Sequence, residues 1–148
     1  INPKSTEIII WKRGEVAEKV LNYINSNIYS TYLIFPIINE EMKKRKIQYS
    51  KSNSIPVFII VDGTWKEAWK IKRKSNYLKD LPIISLDIER SSKFSLRRGQ
   101  EDGNLCTVET AIELLKMNKE NNISEIIDKS FELFLESYKA GMSGHKIK

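Results

Sequence analysis

Residues 56–61, Pro-Val-Phe-Ile-Ile-Val, are apolar on both faces of any strand they form, and Asp62-Gly63-Thr64-Trp65 follows them directly. A strand without a polar face needs cover on both sides, as at the centre of a parallel sheet flanked by helices. Parallel strands also need crossover connections, so helices should alternate with short apolar runs elsewhere in the chain. Residues 7–11 read as a first strand, and 14–25 as a helix with Val16, Val20, Leu21 and Ile24 at helical spacing. Residues 31–37 read as a second strand, where Tyr, Ile and Phe favour the pleat. Residues 39–53 read as a polar loop or short exposed helix anchored by Met42.

Beyond the central run, a helix is expected over 64–75, a strand over 81–88 and a polar Ser/Arg/Gly-rich stretch over 89–105. Two further helices follow. One, over 107–118, carries Val108, Ala111, Ile112 and Leu115 on one stripe. The other, over 124–140, carries Ile127, Phe131, Phe134, Leu135 and Tyr138, with Gly141 placed to stop it. The expectation is an α/β fold with a parallel sheet. No repeat or long linker divides the 148 residues, so a single domain over 1–148 is expected, large enough to need no disulfide or metal staple.

Several function classes recede. No apolar run approaches the ~20 residues that span a membrane, and no basic segment followed by an apolar one opens the chain as a secretion signal would. The chain starts at Ile1 rather than Met, which leaves room for residues upstream. The one cysteine, Cys106, excludes an internal disulfide and a cysteine-rich zinc site within these residues, and reads as a small, reduced, semi-buried thiol. The one histidine, His145, lies in a Gly/Ser/Lys-rich tail, a poor place for a metal ligand or catalytic dyad. A cytoplasmic, metal-free chain is expected. Its net charge of +6, from 25 Lys plus Arg against 19 Asp plus Glu, suits a polyanionic partner. A general abundance of Lys, Ile and Asn accounts for part of that excess.

In open parallel sheets, ligands bind beyond the carboxyl ends of the strands. Three connections leave that edge here: Pro36 onward, Asp62 to Trp65, and residues 89–107. Asp62 comes off the strand end, Gly63 permits a tight turn, and Thr64 can cap the next helix, whose first amides face the same crevice. A plain capped turn with a core tryptophan explains the tetrapeptide equally well. On that helix, spacing places Lys66, Lys70 and Arg73 on one face, either for phosphates or as a solvated surface. Arg97 and Arg98, in Ser92-Lys93-Phe94-Ser95-Leu96-Arg97-Arg98, offer guanidinium forks for carboxylate or phosphate. Thr107, followed by Glu109, opens the next helix as a partial cap.

Taken together, these segments resemble the DTW-domain family. Residues 59–68, Ile-Ile-Val-Asp-Gly-Thr-Trp-Lys-Glu-Ala, look like its D-x-T-W signature. Tyr32-Leu33-Ile34-Phe35-Pro36 is similar to its apolar strand ending in proline, and residues 92–97 to its S-x-[YF]-x-[LI]-R segment. Cys106-Thr107-Val108-Glu109-Thr110-Ala111 is similar to a helix start of the family, of the form [LC]-[ST]-T/V-x-E-A. Order and spacing hold from about Thr31 to Ala140. Two features depart from the pattern. The N-terminal zinc-binding cysteine cluster of many members has no counterpart here, and the family's polar H-P-x-E stretch after the first strand does not map onto residues 9–15.

The resemblance implies a SPOUT-like α/β domain with a C-terminal trefoil knot. It also implies transfer of the 3-amino-3-carboxypropyl group of S-adenosylmethionine to N3 of a uridine in tRNA. On that reading Asp62 is the general base; because a free aspartate titrates near ~3.9, the role calls for desolvation by the crevice. Pro36, Thr64, Trp65, Leu86, Arg97 and Thr107 would contact S-adenosylmethionine, with Trp65 an aromatic wall for the sulfonium. Lys66, Lys70, Arg73 and Arg98 would meet RNA. A monomer is favoured. The alternatives are an enzyme of related fold that moves the same group or a methyl group onto ribosomal RNA, and a catalytically inactive RNA-binding module.

Overall fold

Among the described residues, Tyr29–Ile34 (β1) is the middle strand of a three-stranded parallel sheet, with Ile55–Ile60 (β2) on one side and Ile83–Ile84 (β3) on the other. This is a computed structural model; it describes residues 5–86 and 105–142, which belong to two units, Ile1–Asp87 and Ile88–Lys148. The mixed α/β class with a parallel sheet is as expected. The middle position is not: among the described residues β1 holds it, and β2 lies at the edge. Burial agrees, since Leu33 and Ile34 are buried whereas every residue of β2 is half-buried or exposed. An apolar run reports that both faces have apolar neighbours, not how many strands flank it.

In the first unit, Glu18–Asn25 (α1), Glu40–Arg45 (α2) and Trp65–Lys74 (α3) accompany the sheet. Leu33, Phe35, Met42, Ala68, Leu78, Leu81 and Ile83 form its core with Val20. Complete burial of a side chain such as Leu33 contributes about 1.5–3 kcal/mol. The polar 39–53 segment does form a short helix. Asn39 accepts from Met42 N at 2.9 Å as its cap, and Met42 is its fully buried anchor.

Residues 7–11 form no strand. Ile9 packs on the core while Ile8 and Ile10 are exposed, so the alternation marks an inward and an outward side without a backbone ladder. Side chains tie the segment down instead. Glu7 accepts from Lys19 and from Tyr23, which holds its carboxyl below the usual range, and Trp11 Nε1 donates to Ser75 Oγ at 2.9 Å. α1 begins at Glu18 rather than at Gly14, because Gly14 (φ +81°) lies in a turn closed by Glu15 N to Lys12 O. Val16, expected on the apolar stripe, is consequently exposed.

The second unit holds Thr107–Met117 (α4) and Asn121–Met142 (α5). On α4, Ile112 and Leu114 are buried and Val108 is exposed, so the covered stripe is rotated from the one spacing suggested. α5 starts earlier than expected and passes through Gly141, whose helix-interior cost of about 1 kcal/mol one position cannot turn into a stop. Phe131 and Leu135 pack with Cys106, while Phe134 and Tyr138 stay largely exposed. Among the described residues no helix is long and apolar enough to cross a membrane.

Candidate active site

The sheet register brings three of the predicted residues to one edge. Ile34 pairs with Ile60 and with Ile84, so Pro36, Asp62 and Leu86 each stand two residues past a matched rung. Phe35 N donates to Ile84 O at 3.3 Å, which holds β1 against β3 at that end. Pro36 and Leu86 are half-buried and Asp62 is exposed. Asp62, whose role as a base calls for desolvation, is thus exposed at this edge.

Gly63 has φ +150°, a conformation that glycine adopts without strain and other residues rarely do. A Cβ there would meet Glu67 Cβ at 3.1 Å and Glu67 Oε2 at 3.3 Å, so the turn is tight for two reasons. Thr64 caps α3 through a reciprocal box: Thr64 N donates to Glu67 Oε2 at 2.7 Å and Glu67 N donates to Thr64 Oγ1 at 3.4 Å. Thr64 Oγ1 also donates to Glu67 Oε2 at 2.7 Å. Both the Thr64 hydroxyl and two of the amides near the helix start thus have partners within the box.

Trp65, the first residue of α3, is 44% exposed beside Asp62, and its ring does not project freely. It stacks on Phe35 (centroids 5.6 Å, planes 25° apart) and on Trp69 (6.5 Å, 8°), and Phe35 stacks on Trp69 (5.9 Å, 23°). The buried Phe35 closes β1, and Trp69 lies one helical turn along α3. Helical spacing puts Trp69 on the same side as Trp65, although only Trp65 carries a predicted role. Phe35, directly before Pro36, and Trp69, four residues on, carried the signal of a shared face. Lys66, Lys70 and Arg73 are exposed as spacing predicted, while Ala68 turns into the core.

In the second unit, Thr107 is the first helical residue of α4 and the cap is Cys106. Thr107 was expected to cap this helix; Cys106 N instead donates to Glu109 Oε2 at 2.9 Å, with Glu109 buried. Burial pushes the Cys106 thiol up, as for a structural rather than a reactive cysteine. Arg97 and Arg98 lie outside the described residues. Among the described residues no group of three or more His, Cys, Asp or Glu could hold a metal ion.

No solved structure matches the chain. The family model of the DTW domain matches residues 2–139, which includes the Asp62–Trp65 turn and runs through both units. The chain therefore belongs to the DTW-domain family, known for enzymes that modify tRNA.

Proposed function

We propose that this chain transfers the 3-amino-3-carboxypropyl group of S-adenosylmethionine to N3 of a uridine in tRNA. One observation carries the reading: Asp62 and the exposed, stacked Trp65 stand at the carboxyl edge of a parallel sheet, level with Pro36 and Leu86. A carboxylate and an exposed indole carried by one turn suit a reaction in which a proton leaves N3 near a sulfonium cation. S-Adenosylmethionine supplies an electrophilic γ-carbon: the N3–Cγ bond forms, the Cγ–S bond breaks with its electron pair passing to sulfur, and 5′-methylthioadenosine leaves.

The residues divide the remaining work. Asp62 takes the N3 proton, and because it is exposed, the bound base and nucleoside must exclude water from it. Trp65 forms the wall against the sulfonium and Pro36 and Leu86 the adenine side. By the resemblance of their segments to the family's motifs, Arg97 is assigned a carboxylate or an RNA phosphate and Thr107 the amino acid moiety. Lys66, Lys70, Arg73 and Arg98 meet the RNA backbone, as the net charge of +6 favours. The target base leaves its stack to reach the edge. The whole would be a SPOUT-like domain.

The test is transfer of labelled aminocarboxypropyl group to unmodified tRNA, with mass spectrometry of the product nucleosides. Asp62→Ala should fall by roughly 10²–10⁴-fold, the usual contribution of a general base. Near-normal activity with unchanged folding removes Asp62 from that role. Methylated nucleosides would replace the group-transfer reading with methyl transfer. A chain that binds tRNA but no S-adenosylmethionine would be an RNA-docking module.

A further inference from the structure

Trp65 is held from behind by a connected set of groups that reaches back to α2. Trp69, stacked on Trp65 with planes 8° apart, carries Lys72 Nζ over its ring at 5.3 Å from the centroid. The Lys72 side chain is 13% exposed, which is unusual for a lysine, and Nζ lies 3.7 Å from Glu41 Oε2. Glu41, whose side chain is 56% exposed, also has Oε1 2.9 Å from Arg45 Nε. The Nε–H is not directed at that oxygen, so this contact is an ion pair rather than a hydrogen bond. Arg45 Nη1 donates to Leu78 O at 3.2 Å and Leu81 O at 3.0 Å, which anchors the set to the chain leading into β3.

We infer that the Glu41–Lys72 pair positions Trp65, acting through Trp69, so that the exposed indole keeps one orientation for its ligand. The inference rests on the reading of Trp65 as the sulfonium wall. A half-exposed tryptophan has two free torsions and would otherwise sample several rotamers, each choice lowering the population competent to bind. Phe35 stacks on both rings and Lys72 lies over Trp69, contacts that another rotamer of either indole would give up. Lys72 and Glu41 touch no reacting atom and are positioning residues.

Lys72→Met keeps the aliphatic stem and removes the charge. It should raise KM for S-adenosylmethionine about threefold to tenfold, the range of a partly buried cation–π contact, with kcat little changed. Lys72→Arg should restore the wild-type KM, and Glu41→Gln should show a smaller rise. Lys43→Met, which removes an exposed lysine of α2, is the control. A second measurement needs no ligand. With 5-fluorotryptophan in the full chain, the three tryptophans give three fluorine resonances. The Trp65 resonance should shift and broaden in Lys72→Met and return in Lys72→Arg.

An unmoved Trp65 resonance in Lys72→Met overturns the inference. So does an unchanged KM, or an Arg variant as impaired as the Met variant. If the wild-type resonances ignore added S-adenosylmethionine, the wall reading of Trp65 fails on its own, while the ligand-free comparison still decides whether Lys72 orients the ring.

Discussion

The starts of α3 and α4 use the same local device in opposite surroundings. Each has a glutamate three residues after the cap whose carboxylate accepts the cap N–H: Glu67 from Thr64 at 2.7 Å, Glu109 from Cys106 at 2.9 Å. At α3 the box is exposed and stands beside Asp62 and Trp65; at α4 the glutamate is buried and its cap packs on Phe131 and Leu135. An exposed box can be re-formed by water and mainly directs the chain into the helix. A buried one has no substitute, because a buried donor that loses its partner keeps the full desolvation penalty. The same sequence pattern thus serves an open edge in one unit and an interior in the other.

Glu109→Ala tests the buried side and should have the largest effect, a loss of about 3 kcal/mol by denaturant titration. Glu109→Gln, which keeps an acceptor oxygen, should recover much of it. A loss below ~1 kcal/mol would mean that burial adds little to the box. Gly63→Ala comes next, at about 2 kcal/mol, since it combines a strained φ with a close approach to Glu67. It should also depress transfer activity by moving Asp62 and Trp65; full activity would uncouple the turn from the site. Glu67→Ala, on the exposed side, should cost only about 0.5–1 kcal/mol. If it equals Glu109→Ala, the comparison between the two boxes fails.

The smallest effect concerns Cys106. Its folded-state thiol pKa is raised by burial, so the neutral thiol is favoured in the fold. The associated stability is present below the unfolded value, near about 8.5, and is lost as pH rises through the folded value. Wild-type stability should therefore fall slightly more steeply than that of Cys106→Ala above about pH 8.5. Iodoacetamide should label native Cys106 much more slowly than the unfolded chain, and equal rates would remove it from the interior.

Legibility differed between local and long-range features. The turn at residues 62–65 was readable because each of its demands is local: a strand end, a glycine for the tight turn and a threonine able to cap the helix that follows. The kinds of most elements were readable for the same reason. The strand at 7–11 was misread because period-two alternation records which side faces the core, and Ile9 does face it without a pairing strand. The anchors Phe134 and Tyr138 were misread because the apolar arc of α5 is wider than the part that is covered. The polar stretch with Arg97 and Arg98 lies outside the described residues.

By itself the sequence determined the α/β class, the strand–turn–helix unit around Asp62-Gly63-Thr64-Trp65 and the basic face of Lys66, Lys70 and Arg73. All three follow from backbone preferences and periodicities that act within a few residues. Only the tertiary structure decided that β1 is the middle strand among the described residues and that Pro36, Asp62 and Leu86 share one level of the sheet edge. It alone brought Phe35 and Glu41 to the group formed by Trp65, Trp69 and Lys72, and buried Glu109 while leaving Glu67 exposed. These outcomes depend on hydrogen-bond register and packing between residues far apart in the chain, and register is chosen by the collective burial of whole faces, which no short segment encodes.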